Sequence, residues 1–514
     1  MIMGTKQYDS ATDILTFSRA SGGTALRKIS YGNNLVTNGT FDTDLSGWNA
    51  ESSWTYSNGK AALLANSEPN QSLSSTKAYV KVGKTYRVRF DASTSVGTPV
   101  NTSMKLRIWG NDNGTGTFIY NGSYINTGSN ELLISPTANG YMAFDNVISN
   151  SFDKFIDNVS IEEVLFDQAD GTLQLWNHAN NIPRIEYDAT GAVKGLLIEE
   201  ARTNVATYSN DFGNLAPGLK WLSNGITVTP NSAISPDGTT NATKFDMASN
   251  GFTRKLTGHV PTVGQTYTFS VWIKAGTASE VKTAILFNGS GLGYTQLTHT
   301  LTNEWQRFTV TSTLASGTPD QVRARFVATQ AGTIFVYGAQ VELGSFHTSY
   351  IPTTGATATR ARDLAEIPTS AFGYNNDQGS LVIDVLTPVA DQFMALGYFN
   401  TSSFYNSRGF FKSNANNSSL GPHYMLAAYD GSSTKLVLGQ QTQAEYTKLG
   451  LSYGNNEKAV RGGGNIISGT SSYPTSTRLH LGGRDNGFQS QCWIKSIQYY
   501  PRQLTDTQLQ ELTT

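Results

Sequence analysis

The chain has 514 residues, with 37 Lys and Arg against 38 Asp and Glu, and a formal net charge of −1 at pH 7. This balance argues against a general phosphate-binding surface, so nucleic acid is not expected as the main partner. Only 15% of the residues are charged, whereas 50 are Gly and 11% are aromatic, which is typical of many short strands joined by polar turns. The length predicts three or more domains.

A single cysteine, Cys492, excludes a disulfide within the chain, and its position beside Trp493 predicts a small buried residue. No stretch is long and apolar enough to span a membrane, so membrane insertion is not expected. Residues 1–10 lack a basic segment followed by an apolar run. We therefore expect no secretory signal and synthesis in a cytoplasm.

The first predicted module lies between residues 34 and 164. Within it, residues 85–92 alternate apolar side chains with charged ones, with Tyr86, Val88 and Phe90 on one side. This alternation predicts a strand with one buried face and one charged face.

A long internal duplication organises the chain. The segment VGKTYRVRFDAS at 82–93 matches VGQTYTFSVWIKAG at 263–276 with an offset of 181 residues, and IDNVSIEE at 156–163 matches VYGAQVEL at 336–343 with an offset of 180 residues. A period of this length indicates two copies of a domain rather than a solenoid. Each copy predicts an antiparallel sandwich of about 130 to 150 residues.

The third region predicts a separate sandwich over residues 374–514. The segment GSLVIDVLTP at 379–388 alternates like a strand, and EYTKLGLSYGNNEKAVRGGGNI at 445–466 predicts two strands joined at 454–456. Thr505 and Gln508 form a capping-box pattern, so a short helix is predicted at the C-terminal end.

These segments resemble known carbohydrate-binding folds. With NGTFDTDLSGW, VGKTYRVRFDAS and FIDNVSIEE, the first copy resembles carbohydrate-binding modules of the jelly-roll type found beside glycanases. The second copy, with SPDGTTNATKF and NEWQRFTVTSTL, resembles the version common in phage virion proteins. The third region resembles the concanavalin-A-like, laminin-G-like lectin sandwich in its phage form. The resemblance implies an all-β chain of three antiparallel β-sandwiches, two of them jelly rolls, with a small N-terminal and linker element.

Two further segments, LTFSRASGG at 15–23 and GLLIEEARTN at 195–204, resemble a linker arrangement of phage tail and head-spike proteins. There the two elements normally lie close in sequence, whereas here the first sandwich separates them. We therefore predict that module 34–164 is inserted, that the N-terminal arm 1–33 packs with the linker 165–203, and that the second jelly roll covers 204–360. The resemblance implies a bacteriophage virion protein.

Candidate glycan-contact residues can be chosen by side-chain chemistry, because aromatic rings stack on apolar sugar faces while Asn, Asp and Arg form hydrogen bonds with hydroxyl groups. The candidates are Trp48, Trp54, Trp109, Tyr120, Trp221, Trp272, Phe287, Arg484, Asp485 and Asn486. Trp272 stands above most of the others because it shares a predicted polar strand face with Ser270 and Lys274. That face could instead contact another subunit, and a packing role stays open for every Trp.

A structural calcium ion is a second possibility, because jelly-roll binding modules often hold one near the end of the sandwich. By this resemblance Asp157, Thr40 and Asp42 are the matching metal-site residues in the first copy. The second copy has Val336 and Tyr337 where Asp157 would align. No other cofactor is expected.

Catalysis is not predicted. The six histidines are scattered without an HxxxH or HxH pair, and no GxSxG or P-loop motif occurs. Glycoside hydrolysis needs two carboxylates facing one bond, but the adjacent pairs Glu162-Glu163 and Glu199-Glu200 point to opposite strand faces. Carboxylates distant in sequence could still meet, so a polysaccharide depolymerase remains a less favoured alternative.

The preferred hypothesis is a tail-fibre or spike protein of the virion that attaches to host-surface glycan by weak, multivalent contacts. A homotrimer bound to other virion proteins is the expected assembly. The alternatives are a capsid-decoration or collar-fibre protein with a purely structural role and, less favoured because no export signal is seen, a secreted bacterial carbohydrate-binding protein.

Overall fold

The computed structural model describes residues 2–3, 6–7, 14–97, 103–110, 118–213, 221–289, 293–388, 394–400, 406–412, 423–430, 433–440, 446–470, 475–483 and 491–514. They form two compact units, an inserted unit, Lys28–Thr172, and a larger unit, Met1–Arg27 with Leu173–Thr514. Nearly all described secondary structure is β, which confirms the predicted all-β class. None of the helices in these ranges is long and apolar enough to cross a membrane.

The inserted unit is built from short antiparallel strands. Its strands, with β4 crossing into the unit at the boundary, are β4 (Gly23–Tyr31), β5 (Trp48–Ala50), β6 (Trp54–Ser57), β7 (Lys60–Leu63), β8 (Ser72–Val80), β9 (Tyr86–Thr94), β10 (Met104–Trp109), β11 (Phe118–Tyr124), β12 (Gly128–Ile134), β13 (Gly140–Asn146) and β14 (Lys154–Phe166). One sheet has the order β11-β10-β13-β8-β5, and in the other β14 pairs with β9, β7 and β4 while β12 pairs with β9.

Alternation sets the core of the inserted unit. Tyr86, Val88 and Phe90 are each at most 2% exposed, as the sequence pattern predicts, and they face Phe144 and Ile108 in one hydrophobic cluster. The two sheets therefore pack face to face as a sandwich.

The larger unit contains a central sandwich between its linker and its C-terminal part. The strands of the linker and the central sandwich are β15 (Thr172–His178), β16 (Arg184–Tyr187), β17 (Val193–Ile198), β18 (Arg202–Asn204), β19 (Trp221–Ala233), β20 (Ala242–Leu256), β21 (Thr266–Ala275), β22 (Glu280–Asn288), β23 (Tyr294–Thr300), β24 (Gln306–Thr313), β25 (Gln321–Ala328), β26 (Gly332–Leu343) and β27 (Ala358–Arg360). The long strand β20 pairs with β26 through its first half and with β25 through its second half, so it belongs to both faces of the sandwich.

The C-terminal sandwich follows, with strands at the N-terminus added to its sheets. Its elements are β1 (Ile2–Met3), β2 (Lys6–Gln7), β3 (Thr16–Ser18), β28 (Leu364–Pro368), β29 (Gly379–Leu386), β30 (Met394–Asn400), β31 (Asn406–Lys412), β32 (His423–Asp430), β33 (Ser433–Gln440), β34 (Tyr446–Tyr453), β35 (Glu457–Arg461), β36 (Ile467–Gly469), β37 (Arg478–Leu481), β38 (Cys492–Tyr500), α1 (Asp506–Thr513) and a 3-10 turn at Thr369–Ala371. One sheet is ordered β16-β17-β38-β29-β34-β35-β36 and the other β3-β28-β37-β30-β31-β32-β33.

The linker extends one sheet of the C-terminal sandwich, because β17 pairs with β38. The N-terminal arm contributes to both sheets, through β1 on β38 and β3 on β28. Cys492 is buried in the shared core, as predicted. The capping box of α1 is also confirmed, since the Thr505 hydroxyl accepts from the Gln508 backbone N–H. The domain boundaries drawn from the sequence remain predictions.

Candidate ligand-binding cleft

The three tryptophan candidates in the inserted unit, Trp48, Trp54 and Trp109, are buried. Trp48 and Trp54 belong to the hydrophobic core, and their indole N–H groups donate to the backbone carbonyls of Asn38 and Gln71. Trp109 is 6% exposed and its Nε1 donates to the Asp145 carboxylate at 3.0 Å. These contacts give the three rings structural roles, and their contacts with a ligand remain predictions.

The central sandwich separates its three candidates. Trp221 is 0% exposed and stacks obliquely on Phe212, while Phe287, 4% exposed, lies in the same core. Trp272 instead packs on the other side of its sheet, with Leu175, Tyr337 and Tyr350. The strand face that the sequence marks as polar is therefore covered by segments of the same chain.

Some candidates cannot be placed. Arg484, Asp485 and Asn486 lie outside the described residues, and so does the side chain of Tyr120, although its backbone belongs to β11. Their predicted ligand contacts remain predictions.

The proposed calcium residues lie on neighbouring segments. The Val159 N–H donates to the Gly39 carbonyl at 2.8 Å, which brings the loop of Thr40 and Asp42 beside the strand of Asp157. Thr40 donates to Asp42 at 2.9 Å. Within the described ranges no group of three or more His, Cys, Asp or Glu side chains is arranged to hold a metal ion. The calcium site stays a proposal.

A cleft of about 550 Å³ lies in the larger unit. Its walls come from the central sandwich, from the linker hairpin β16–β17 and from the C-terminal sandwich. Three tryptophans line it, namely Trp272 on β21, Trp305 just before β24 and Trp493 on β38. The volume is within the range of small-molecule sites, which is roughly 300–1,000 Å³.

Two donors in the wall of this cleft lack acceptors. Trp272 and Arg307 are direct cross-strand partners in the antiparallel pair β21–β24. Arg307 donates from Nη2 to the Ser270 hydroxyl at 3.0 Å, but neither Arg307 Nε nor Trp272 Nε1 has a hydrogen-bond acceptor among the described residues. An unsatisfied buried donor costs about 1–3 kcal/mol, so a ligand or water oxygen would be favourable here.

Burial lowers the pKa of Arg307, and attraction to Glu342, Glu186 and Glu199 offsets this only in part. His347 is 2.9 Å from the Thr309 hydroxyl through Nδ1. Burial and the nearby positive charge of Arg307 hold the pKa of His347 well below its usual value. The imidazole is therefore neutral at pH 7 and offers one donor and one acceptor.

A second polar group surrounds Trp493. Lys194 Nζ lies 3.4 Å from the ring centroid, in cation–π contact, and 3.2 Å from Glu186 Oε2. The same carboxylate oxygen accepts a hydrogen bond from Trp493 Nε1. These contacts fix the orientation of the ring in the cleft wall.

A buried ion cluster supports one end of the cleft. It consists of Arg19, Arg184, Glu199, Arg360 and Asp363, whose side chains are at most 1% exposed. Arg184 lies between the two acids, 2.6 Å from Asp363 and 2.9 Å from Glu199. Because the five residues come from the arm, the linker and the segment before β28, the cluster joins three parts of the chain that are far apart in sequence.

Two carboxylates that line the cleft, Glu199 and Asp188, are poor proton donors. Burial would raise the pKa of Glu199, but Arg360, Arg184 and hydrogen bonds from Ser349 outweigh it and hold that pKa at about 2. Burial would also raise the pKa of Asp188, but hydrogen bonds from Thr190 and Ala192 outweigh it, so the pKa of Asp188 is lowered. A glycosidase acid needs the opposite perturbation, because it must be protonated near neutral pH.

Sequence reasoning identifies Trp272 and misses most of its neighbours. Trp305 and Arg307 occur in the segment NEWQRFTVTSTL, which by itself indicates only the fold. Arg307 lies opposite Trp272 only through the register of β21 and β24, which the sequence does not show. Glu186, Lys194 and Trp493 have no local pattern that marks them.

No protein-family model and no curated protein sequence matches the chain. Among solved structures, the enzymatically active domain of bacteriophage CBA120 tailspike protein 4 is 12% identical over 27% of this chain, with a TM-score of 0.23, and the match spans only 21% of that domain. The CBM40 of the Ruminococcus gnavus IT-sialidase, bound to α2,6-sialyllactose, is 14% identical over 28% of this chain and 87% of its own, with a TM-score of 0.23.

A third similar structure is the tandem CBM22-1–CBM22-2 domain of Paenibacillus barcinonensis Xyn10C. It is 12% identical over 61% of this chain and 98% of its own, with a TM-score of 0.21. Scores this low support no argument about function, and the fold class of this chain rests on its own strands.

Proposed function

We propose that this chain binds carbohydrate non-covalently in the cleft between the central and C-terminal sandwiches. The observation that supports this most directly is the combination of three tryptophans with two acceptor-free donors, Trp272 Nε1 and Arg307 Nε, in one cleft. Aromatic rings suit the apolar faces of a sugar, while its hydroxyl oxygens supply the acceptors that both donors lack.

The wider role we propose is attachment of a bacteriophage particle to host-surface glycan, by a homotrimer in the virion. The support is the resemblance of LTFSRASGG and GLLIEEARTN to phage linker elements. Arg19 of the first element and Glu199 of the second both belong to the buried ion cluster, so the two segments stabilise the same part of the fold. Three copies that bind one glycan surface together would raise the overall affinity well above that of a single site with a dissociation constant on the order of 1 mM.

We propose binding without catalysis. Glu199 is held ionised by two arginines, and Glu186 is engaged by Lys194 and Trp493, so these carboxylates are committed to ion pairs and hydrogen bonds. Incubation of host polysaccharide with the purified chain should release no new reducing ends. Release that depends on Glu186 would replace the binding proposal with a depolymerase.

The test of binding is a panel of host envelope glycans presented to the full chain, followed by titration of any that binds. Trp305→Ala is the informative variant, because this ring is only partly buried and its N–H donates to the Ile234 carbonyl at an exposed position. Loss of one stacking contact of about 1 kcal/mol should weaken affinity about fivefold. Tyr79→Ala, an exposed aromatic of the inserted unit, is the matched control and should bind like the wild type.

Absence of binding to every host glycan would leave the structural alternative, a decoration or collar-fibre protein. Equal affinity of the wild type and Trp305→Ala would remove the cleft as the site.

A further inference from the structure

A sheet face on the central sandwich, separate from the cleft, presents three arginines. Arg254 on β20 is the direct cross-strand partner of Arg325 on β25, and Arg323 lies two residues before Arg325 on the same strand. All three side chains point away from the core, because the alternate residues Val322, Ala324 and Phe326 are 0% exposed. We call Arg254, Arg323 and Arg325 the arginine face.

The spacing of the arginine face follows from sheet geometry. Directly opposed residues on antiparallel strands have Cβ atoms about 5 Å apart, and residues two apart on one strand are separated by roughly 7 Å. Three like charges at these separations repel one another. The pKa values of Arg323 and Arg325 are lowered by burial first and by the charge of Arg254 second.

Nothing among the described side chains neutralises this charge by direct contact. No ion pair or hydrogen bond from the three guanidinium groups is found there, and their Nε atoms are buried without an acceptor. Asp320 attracts Arg323, yet its carboxylate already accepts hydrogen bonds from Asn288 at 2.5 and 2.7 Å. The three arginines are half-buried, and their buried Nε donors and mutual repulsion favour an anionic partner that supplies acceptors and opposite charge.

The surroundings of the arginine face are aromatic and open. Phe252 lies beneath two of the guanidinium groups, with Arg325 4.4 Å and Arg254 5.8 Å from its ring centroid. Tyr294, on the edge strand β23, is 62% exposed and pairs in register with Leu286, the cross-strand neighbour of Arg323. Lys282, at the same sheet level as Phe252, adds a further positive charge.

We propose that the arginine face binds an acidic polysaccharide through its carboxylate groups. Arginine holds a carboxylate through two parallel N–H donors, and repeated acid groups along a chain match a row of arginines better than one small anion does. Tyr294 and Phe252 supply apolar surface for the sugar rings between the charges. This site is distinct from the cleft and adds a ligand class, anionic glycan, that the cleft does not require.

A nucleic acid partner fits less well. The arginine face offers three guanidinium groups, fewer than the roughly 6–10 phosphate contacts of a strongly salt-dependent nucleic-acid binder. The three arginines lie on one sheet face, where an extended single chain of linked acidic sugars can lie across β20 and β25.

The test uses the full chain with two matched polymers, polygalacturonate and the same polymer fully methyl-esterified, which keeps the sugars and removes the charge. We expect retention by the acid form only, weakening steeply with added salt. Arg325→Gln and Arg323→Gln should each reduce affinity for the acid polymer about tenfold. Arg478→Gln, an exposed arginine of the C-terminal sandwich paired with Glu366, is the control and should change nothing.

Three results would overturn the proposal: equal binding of the esterified polymer, unchanged affinity in Arg323→Gln/Arg325→Gln, or tighter binding of oligo-dT than of polygalacturonate. Trp305→Ala separates this proposal from the cleft, because it should leave polygalacturonate binding intact. If the acid polymer fails to bind while a host glycan still binds in a Trp305-dependent way, the arginine face is refuted and the proposed function stands.

Discussion

Glu199 offers the sharpest test of what holds the larger unit together. Its carboxylate is 0% exposed and accepts from the Ser349 N–H at 2.7 Å, from the Ser349 hydroxyl at 2.6 Å and from Gln491 at 3.2 Å. It also pairs with Arg184 and Arg360. Glu199→Gln keeps the shape of the side chain, removes the charge and turns an amide N–H₂ toward groups that are themselves donors.

The expected loss is large because one partner of a buried ion pair is removed while the arginines remain. Breaking such a pair typically costs about 3–5 kcal/mol. With a urea dependence of roughly 1–3 kcal/mol per molar, the unfolding midpoint of the larger unit should fall by about 1 M or more. The assay is urea unfolding followed by tryptophan fluorescence, with circular dichroism as a second probe.

Glu366→Gln is the control for the same charge change at the surface. Glu366 pairs with Arg478 at 3.0 Å, but the two side chains are 26% and 50% exposed. Removing an exposed pair should cost less than about 1 kcal/mol. If Glu199→Gln and Glu366→Gln shift the midpoint equally, the buried ion cluster does not stabilise this unit as we describe.

Two further predictions follow from particular contacts. Glu199 has a pKa of about 2 in the folded chain against an ordinary value of 4.5. Its contribution to the free energy of unfolding is therefore fully present above pH 4.5 and is lost as the pH falls toward 2. Between about pH 6 and pH 3, the wild type should lose more unfolding free energy than Glu199→Gln does, and equal losses would contradict this. Gly39→Ala should destabilise the inserted unit by about 1–3 kcal/mol, because a Cβ there would overlap the Val159 carbonyl oxygen. A Cβ at Gly293 meets no atom of the described residues within 4 Å, so Gly293→Ala should be close to neutral in the same unfolding assay.

Local patterns predict the parts of the fold that depend on near neighbours. Alternation at residues 85–92 identifies the buried face of β9, and the spacing of Thr505 and Gln508 identifies the cap of α1. These features follow from the period of a strand and from hydrogen bonds within one helical turn, so they can be read without knowledge of the tertiary structure.

The site depends on contacts that no local pattern encodes. Alternation alone predicts an open polar face for Trp272, yet Leu175 and Tyr350, which lie far from it in sequence, cover that face. In the sequence Glu199 stands out only as the neighbour of Glu200, whereas its real partners include Arg184 and Arg360. The sequence predicts part of the arginine face, because QVRARFVA at 321–328 alternates Arg with apolar residues. The pairing of Arg254 with Arg325 depends on the register of β20 and β25, which the sequence does not show.

The central claim is that the cleft holds a sugar, and a crystal structure of the full chain soaked with a glycan that binds it tests this most directly. The account predicts density for a sugar in the cleft, with a ring against Trp305 and an oxygen within hydrogen-bond distance of Arg307 Nε or Trp272 Nε1. Density for the glycan elsewhere, with the cleft holding only water, would contradict the account.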